Sequence, residues 1–387
     1  MKLPSKHLRP NWLPRIENEA VFRMIEAGGY RAYGVGGCVR DILLQGGARD
    51  VDIATDATPQ EVMRLAEGAG LRVVPTGIEH GTVTVVSNGI GHEVTTFRRD
   101  VATDGRRAVV AYTTRIEEDA ARRDFTMNAL YATLDGEVID PLGGLPDLMA
   151  RRVRFVGDAA ARIAEDRLRI LRFFRFTATH GNPALGIDAE GLAACAAGAE
   201  GVEHLSRERV GQEMMRLLHA DDPAPVVAAM AAAGVLARVL PGADATALPA
   251  LVHLEQTYDI LPDGCRRLAV MGGEDAAGRL RLSKDEAGSL AKLREGAQSG
   301  LTLRALGFRY RHQARDVALV RAALTGESLP KGWRLAIDRG TRHHTAPVVA
   351  RDLMPGLSGA ALGARLRELE DRWLASDLRL TKAELLG

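Results

Sequence analysis

The sequence is poor in aromatic residues and in cysteine. Phe, Trp and Tyr together make up 4% of the 387 residues, so the cores must be packed mainly from aliphatic side chains. The three cysteines, Cys38, Cys195 and Cys265, lie far apart and form neither a CxxC motif nor a Cys/His cluster. The sequence therefore predicts neither a structural zinc site nor a disulfide framework.

Long apolar runs and a large net charge are also lacking. The most apolar stretch, residues 224–237, contains Pro225 and is too short to span a bilayer. The first 15 residues have no apolar core of the secretory type, so we expect a cytoplasmic protein with no membrane partner. The formal net charge of +1 does not indicate a polyanionic partner, and local clusters of charge must be considered instead.

Apolar residues nevertheless make up 46% of the chain, enough for two or three packed domains. Up to about residue 150, β-branched runs such as TVTVV alternate with helical patterns, which predicts an α+β domain. Residues 98–114 turn polar around Asp104 and Gly105 and predict a long mobile loop. From about residue 157 onward the apolar period is helical, which predicts an all-α remainder.

The most informative segment is GVGGCVRDILLQGGARDVDIAT, residues 34–55. Gly36 and Gly37 stand between a strand-like run and a helical pattern, where the backbone can approach a triphosphate closely. Arg40 follows one turn into that helix and can pair with a phosphate. Asp50 and Asp52 are two residues apart in a strand context, which puts both carboxylates on one face. A divalent cation relieves the repulsion between such a pair.

Two other interpretations of this segment compete. An isolated DxD is most often a polar strand edge with alternate buried apolar residues, although the neighbouring glycines and Arg-Asp pair disfavour that here. A dinucleotide-binding loop would need a third glycine where Val39 stands, and no βαβ series follows. Phosphate and metal binding therefore remains the favoured interpretation.

Further blocks along the chain resemble those of one known family. In chain order they are GGCVRD, DVD, EVTTFR at 93–98, RRDFTMNAL at 122–130, DPLGGLPDL at 140–148 and EDRLRILRFFRF at 165–176. Together they resemble the nucleotidyltransferase superfamily of DNA polymerase beta, in its bacterial tRNA CCA-adding and poly(A) polymerase branch. The resemblance is strong over about the first 240 residues and looser at 356–373.

This resemblance implies a fold and a reaction. It implies a polymerase-beta-like head with a mixed sheet over residues 1–150, a helical neck over 151–215, and a helical body and tail over 216–387. The implied reaction adds CMP, CMP and AMP to the 3′ end of tRNA from CTP and ATP and releases pyrophosphate. Asp50 and Asp52 would hold two Mg²⁺ ions and act as the catalytic residues. The oligomeric state stays open.

Several activities remain alternatives. Poly(A) polymerases and CC- or A-adding enzymes share most of these blocks. TGIEHGTVTVV at 76–86 stands where the poly(A) relatives usually carry a GRRF-type block, and the 98–114 segment, which CC-only enzymes lack, favours A addition. A non-catalytic RNA-binding module is disfavoured by the intact acidic pair. Transfer to a small molecule is disfavoured by the long helical C-terminal part.

The segment EDRLR suggests how a base could be chosen without a template. If it is helical, Asp166 and Arg169 share a face. A carboxylate can accept the exocyclic amine of cytosine or adenine, and a guanidinium can donate to the ring nitrogen. Uracil and guanine would leave Asp166 unpaired, at a cost of about 1–3 kcal/mol. In the family this is the nucleotide-reading motif.

The resemblance assigns further residues to the nucleotide. The full implied set is Gly36, Gly37, Arg40, Arg123, Asp166, Arg169, Arg172 and Arg175. Within it Arg123 would bind the triphosphate, with Asp124 expected to orient it. The arginine row at 169, 172 and 175 could instead be a salt-bridged helix surface. Glu93 is a candidate third acid beside the metals, with a structural role as the alternative.

The expected tRNA contacts follow from local charge. Residues 151–175 contain eight arginines and three acidic residues, a local net charge of +5. In the C-terminal part, the basic clusters at 266–268, 309–312 and 342–344 are candidate contacts. For each of them a solvated face is the favoured interpretation.

Overall fold

The structure is a computed structural model and describes residues 8, 12, 16–45, 47, 50–103 and 108–387. The chain divides into two compact units, Met1–Leu205 and Ser206–Gly387. The expected boundary at residue 150 lies within the first unit, and both boundaries, at 150 and at 215, stay predictions.

The first unit mixes strands and helices. Its strands are β1 (Ala32–Val35), β2 (Ile53–Thr55), β3 (Arg72–Val74), β4 (Thr82–Ser87), β5 (Ile90–Thr96), β6 (Arg98–Thr103), β7 (Ala108–Tyr112), β8 (Tyr131–Ala132) and β9 (Val138–Ile139). Its helices are α1 (Ile16–Ala27), α2 (Gly37–Gln45), α3 (Pro59–Gly68), α4 (Ile116–Ala121), α5 (Leu145–Ala150), α6 (Ala159–Glu165), α7 (Leu168–His180) and α8 (Ala189–Ala197). Short 3₁₀ turns lie at Ile78–His80, Thr126–Asn128, Pro183–Leu185 and Ala199–His204.

A seven-stranded sheet organises this unit, in the order β3-β4-β5-β2-β1-β8-β9. β2 and β5 are parallel and the other neighbours are antiparallel, so the sheet is mixed, as expected. Because β2 lies between β1 and β5, the ends of these three strands are neighbours. The glycine turn after β1 and the acidic pair before β2 therefore come together.

Aliphatic and aromatic side chains fix these strands in place. A buried cluster on the sheet includes Val35, Ala54, Phe97 and Tyr131, all under 5% exposed. The rings of Phe97 and Tyr131 pack edge to face at 6.3 Å between centroids, a favoured aromatic geometry. The core thus holds β1, β2, β8 and the end of β5 in one rigid block.

The segment 98–114 is not the loop that the sequence analysis expected. β6 and β7 pair antiparallel as a separate two-stranded sheet, with an irregularity between Asp100 and Ala102. Tyr112 Oη donates to the carbonyl oxygen of Ile78 at 3.3 Å and attaches the base of this hairpin to the unit. The β-branched residues of AVVAY favour a strand, and the polar residues around them obscured this. Asp104 and Gly105 lie outside the described residues.

The regular structure of the second unit is helical, as predicted, apart from an isolated antiparallel bridge between Ala243 and Gly272. Its helices are α9 (Arg207–Leu218), α10 (Ala224–Ala232), α11 (Val235–Val239), α12 (Leu248–Thr257), α13 (Gly264–Met271), α14 (Ala276–Arg279), α15 (Lys284–Gln298), α16 (Leu303–Tyr310), α17 (Ala314–Thr325), α18 (Trp333–Thr341), α19 (Ala350–Leu353), α20 (Gly359–Ala375) and α21 (Lys382–Leu386). A 3₁₀ turn lies at Arg311–Gln313. In the part of the chain that is described, no helix is long and apolar enough to cross a membrane.

One expected basic cluster of this unit is neither an RNA contact nor a solvated face. Arg266 and Arg267 are 3% and 1% exposed, and both pair with the buried carboxylate of Glu255. Arg266 also pairs with Asp316 at 2.6 Å. A guanidinium held in this way is unavailable to a phosphate, so residues 266–268 are removed from the candidate tRNA contacts. Arg342, His343 and His344, by contrast, are exposed.

Candidate active site

The glycine turn lies where β1 passes into α2. Gly36 has a φ of +71°, in the left-handed region that favours glycine. A Cβ at this position would lie 3.3 Å from Nη1 of Arg123 and 3.5 Å from the carbonyl oxygen of Asn128. Gly36 is thus required both by its backbone angle and by the close approach of a guanidinium. Gly37 begins α2, whose N-terminal backbone carries the positive end of the helix dipole.

Asp50 and Asp52 lie just before β2, and both side chains are exposed. Val51 and Ile53, between and after them, are 5% and 0% exposed, so the expected alternation holds although the strand itself starts only at Ile53. The backbone N of Val35 donates to the carbonyl oxygen of Asp52 at 3.0 Å. This bond places Asp52 beside the residue that precedes the glycine turn.

Glu93 adds a third negative charge near this pair. The parallel register pairs Ile53 with Val94, so Asp52, just before β2, lies next to Glu93 of β5, and both residues are exposed. Desolvation by the surrounding protein raises the pKa of Asp52, and the charges of Glu93 and Asp50 raise it further, against the opposing effect of Arg123. These carboxylates therefore repel one another in the absence of a cation.

The donor set fits a hard divalent cation. Carboxylate oxygens are the protein ligands that Mg²⁺ prefers, usually one or two of them together with substrate phosphates. Among the described residues, no group of three His, Cys, Asp or Glu side chains is close enough to hold a metal by itself. An ion bound by Asp50 and Asp52 would therefore complete its shell with water and with phosphate oxygens.

Arg123 is held rigidly beside the turn. Its Nε donates to Oη of Tyr131 at 3.1 Å, and its Nη2 donates to Oδ2 of Asp119 at 2.9 Å. The remaining nitrogen, Nη1, is the one that faces Gly36. Burial disfavours the charged form of Arg123, but Tyr131 and Asp119 outweigh this and raise its pKa above the ordinary value.

The expected role of Asp124 requires correction. Asp124 does not orient Arg123; it accepts from Nε of Arg172 at 2.8 Å and from Nδ2 of Asn128 at 3.0 Å. Burial alone would raise the pKa of Asp124, but Arg172 and Asn128 outweigh it and lower the pKa. The carboxylate that orients Arg123 is Asp119, which the sequence analysis missed.

Three of the expected guanidinium groups surround one phenylalanine ring. Arg40, Arg172 and Arg175 lie 5.1, 5.3 and 4.4 Å from the centroid of Phe176. Arg40 is 8% exposed, and its Nη1 donates to Oδ1 of Asn128 at 2.6 Å. These contacts join α2, the Thr126–Asn128 turn and α7 into one positively charged cluster beside the glycine turn.

Asp166 and Arg169 are not on one helical face, contrary to the expectation. α6 ends at Glu165, Asp166 has extended backbone angles, and α7 begins at Leu168. The Oδ1 of Asp166 accepts from the backbone N of Leu168 at 3.0 Å, so this residue lies in the short break between the two helices. The EDxxR spacing does not reveal a break in a helix, which is why it misled.

Arg169 is nevertheless connected to the rest of the site. Its Nη1 donates to Glu165 at 2.6 Å, and its Nη2 donates to the carbonyl oxygen of Arg122 at 2.9 Å. Arg122 directly precedes Arg123. Arg169 is therefore connected to Arg123 through the backbone of Arg122, although its guanidinium is engaged by protein groups.

Residues missed by sequence reasoning support the predicted ones: Asp119, Asn128, Tyr131 and Phe176. Asp119 lies on α4, four residues before Arg123, which follows the end of that helix. That spacing was the available signal for Asp119. Asn128 lies four residues after Asp124, and Phe176 lies four residues after Arg172, so a similar spacing was available for them. Tyr131 lies eight residues after Arg123 and twelve after Asp119 and carries no such local signal.

A separate cavity of about 610 Å³ in the first unit is lined by none of the residues predicted to bind the nucleotide or the metal. Its lining includes Arg154, Arg162 and Asp188. Arg154 pairs with Asp147, Arg162 pairs with Glu165, and Asp188 caps α8. Arg154, Arg162 and Asp188 are thus each engaged by groups of the protein itself.

Known proteins resemble this chain over most of its length. A family profile described as "Poly A polymerase head domain" matches residues 32–154, and one described as "Probable RNA and SrmB- binding site of polymerase A" matches residues 185–246. The CCA-adding enzyme of Oceanobacillus iheyensis is 43% identical over 206 residues, 53% of this chain and 50% of that protein. The chain thus spans about half the length of that relative.

Other relatives match over more of their length. The CCA-adding enzyme of Geobacillus thermodenitrificans is 38% identical over 79% of this chain and 78% of its own. The mitochondrial CCA tRNA nucleotidyltransferase 1 of Danio rerio is 33% identical over 91% of this chain and 85% of its own length. The solved structure of the Bacillus stearothermophilus CCA-adding enzyme in complex with CTP is 28% identical, with a TM-score of 0.69 over 94% of both chains. The chain therefore belongs to the CCA-adding enzyme family of tRNA nucleotidyltransferases, with a polymerase-type head.

Proposed function

We propose that this protein adds CMP, CMP and AMP to the 3′ end of tRNA, using CTP and ATP and releasing pyrophosphate. The observation that carries the proposal is the glycine turn of Gly36, with Nη1 of Arg123 against it and Asp52 next to it. Such a turn lets a triphosphate approach a helix N-terminus and a fixed guanidinium. Relatives named CCA-adding enzymes support the choice of tRNA, CTP and ATP.

We further propose that Asp50 and Asp52 hold Mg²⁺, with Glu93 as a third acidic residue on the strand next to β2. Two such ions would activate the attacking 3′ hydroxyl and stabilise the leaving pyrophosphate. The chain's own part is to keep two exposed carboxylates beside the turn, so that the α-phosphate lies next to them. Arg40, Arg172 and Arg175 would hold the phosphates through the positive charge that they gather around Phe176.

The choice of base is proposed to involve Asp166 and Arg169. Arg169 donates to Glu165 and to the backbone of Arg122, so its guanidinium would exchange some of these bonds for the ring nitrogen of the base. Such an exchange gives specificity, because a base that cannot replace the lost bonds leaves buried groups unpaired. The proposal thus requires local rearrangement of this guanidinium when nucleotide binds.

Binding of the tRNA itself is assigned to the basic stretch 151–175 and to exposed cations of the second unit, including Arg342. Phosphate contacts of this kind are independent of sequence and weaken with salt. The head, neck, body and tail boundaries and the cytoplasmic location remain part of the proposal.

The experiment is end-labelling of a tRNA that lacks its CCA terminus, with each nucleotide alone and with mixtures, followed by sequencing of the product ends. CCA addition predicts two C residues and then one A. The matching profile described as a poly(A) polymerase head makes poly(A) synthesis the second candidate, and it predicts runs of A from ATP alone. Asp52→Ala should abolish incorporation while tRNA binding persists. Asp135→Ala, an exposed aspartate in the β8–β9 hairpin, is the control.

A further inference from the structure

One carboxylate in the first unit accepts from four donors. Asp119 is 1% exposed and lies on α4. It accepts from Oη of Tyr131 at 2.7 Å, Nη2 of Arg123 and Nε of Arg122 both at 2.9 Å, and the backbone N of Arg98 at 3.3 Å. Burial raises the pKa of this carboxyl, but the two guanidinium groups outweigh it and hold the pKa at about 2. Asp119 is therefore ionised throughout the working range of an enzyme.

The orientation of Arg123 depends on this carboxylate. Two of its three nitrogens are occupied by Asp119 and Tyr131, and the third faces Gly36. An unrestrained arginine side chain loses about 2 kcal/mol of rotamer entropy when a ligand fixes it. A guanidinium that is already fixed avoids much of that loss and presents Nη1 in one direction.

The same carboxylate also anchors two neighbouring elements. Arg122 is held through Nε, and its carbonyl oxygen accepts from Arg169. The backbone N of Arg98, the first residue of β6, is held as well. The buried charge of Asp119 therefore holds three parts of the first unit. They are the Arg123 side chain, the Arg122 backbone that accepts from Arg169, and the start of the β6–β7 hairpin at Arg98.

We propose that Asp119 is a positioning residue for nucleotide transfer, which acts by holding Arg123 against the glycine turn. This inference rests on the proposed role of Arg123 in binding the triphosphate. Asn cannot replace Asp119 in that role, because a neutral amide leaves two partly buried guanidinium groups without a counter-charge and directs its NH₂ group at one of them.

The test measures KM for CTP, kcat, and the Ki of inorganic pyrophosphate as a competitor of CTP. Asp119→Asn should raise KM and Ki by about tenfold or more, with a smaller effect on kcat, because it weakens binding of the phosphates in ground and transition state alike. The control is Asp147→Asn. Asp147 is 6% exposed and accepts from Thr126 and Arg154, so its loss should lower Tm without changing KM or Ki.

The outcomes separate this inference from the proposed function. If Arg123→Ala raises the Ki of pyrophosphate and Asp119→Asn does not, the positioning role is refuted and the function of Arg123 stands. If Arg123→Ala leaves the Ki unchanged, the proposed phosphate contact itself fails. In the double variant, Asp119→Asn should add little to the effect of Arg123→Ala; full additivity would also refute the inference.

A milder variant covers the case in which Asp119→Asn does not fold. Tyr131→Phe removes only the hydroxyl that donates to Asp119 and accepts from Arg123. It should raise the Ki of pyrophosphate in the same direction by a smaller factor, about two- to fivefold. A wild-type Ki in folded Tyr131→Phe would count against the positioning network.

Discussion

Asp124 and Arg172 form an ion pair that joins the turn before β8 to helix α7, with 2.8 Å between Oδ2 and Nε. Asp124 is 9% exposed, and the Arg172 side chain is 31% exposed. Nδ2 of Asn128 donates to the other carboxylate oxygen of Asp124, and Oδ1 of Asn128 accepts from Nη1 of Arg40. The two ends of the site, the RRD block and the arginine row, are thereby parts of one hydrogen-bonded structure.

Arg172→Ala should therefore affect stability and nucleotide binding together. It leaves the carboxylate of Asp124 buried without its guanidinium, which costs about 3 kcal/mol. We expect a lower Tm and a raised KM for both CTP and ATP. Arg154→Ala, which breaks a more exposed pair with Asp147, should cost less and leave KM unchanged. Equal Tm values for Arg172→Ala and wild type would contradict the assigned pair.

Gly36→Ala should impair nucleotide binding through Arg123. At a φ of +71° an L-residue is strained by about 1–2 kcal/mol, and the new Cβ meets Nη1 of Arg123 at 3.3 Å. Gly70→Ala is a matched control, since Gly70 has a φ of +70° and nothing within 4 Å of its Cβ position. Both variants should lose similar stability, but only Gly36→Ala should raise KM for CTP. A raised KM in both would mean that strain alone is responsible.

Asp52→Asn should stabilise the protein without divalent ions while reducing transfer more than about 100-fold. Because the pKa of Asp52 is raised in the folded state, ionisation of this carboxyl destabilises the folded protein relative to the unfolded chain. Stability from this group is present below its ordinary pKa of 3.8 and is lost as pH rises through the raised value. The Tm gain of the variant should thus be seen at neutral pH, vanish below pH 3.8, and be absent in Asp135→Asn.

Glu93→Gln tests the third acidic residue through pH dependence. Removing this negative charge lowers the pKa of Asp52, so the acid limb of the transfer rate should move to lower pH. A role in metal binding would additionally raise the Mg²⁺ concentration needed for half-maximal activity. Glu137→Gln, an exposed residue of β8–β9, serves as the control. An unchanged acid limb would show that Glu93 does not act on Asp52.

The limits of prediction from the sequence are visible in individual residues. Gly36, Asp52 and Arg123 could be named as candidates because a turn, a strand period and a block that resembles a known family each leave a short-range pattern. Asp124 was assigned to the wrong arginine, because which of several guanidinium groups a carboxylate meets depends on packing between distant elements. Arg266 and Arg267 resembled an RNA-binding cluster because the sequence does not show that Glu255 folds against both of them and neutralises their charge.

The second unit offers a prediction independent of the active site. α16 and α18 cross with their backbones in contact, since a Cβ on Gly307 would overlap the carbonyl oxygen of Ile337, and one on Gly340 that of Arg304. Neither carbonyl can move without breaking its helix, so Gly340→Ala should destabilise this unit by about 3 kcal/mol or more. Gly288→Ala, exposed on α15 with open space around it, should instead stabilise by about 0.5–1 kcal/mol.

Intrinsic fluorescence can follow these two variants, because Trp333 and Trp373 both lie in the second unit and are 4% and 2% exposed. Urea unfolding should show a lower midpoint for Gly340→Ala and a higher one for Gly288→Ala. KM for CTP should stay at the wild-type value in both, since every residue assigned to the nucleotide belongs to the first unit. A shift of KM in Gly340→Ala alone would show that this crossing influences the nucleotide site.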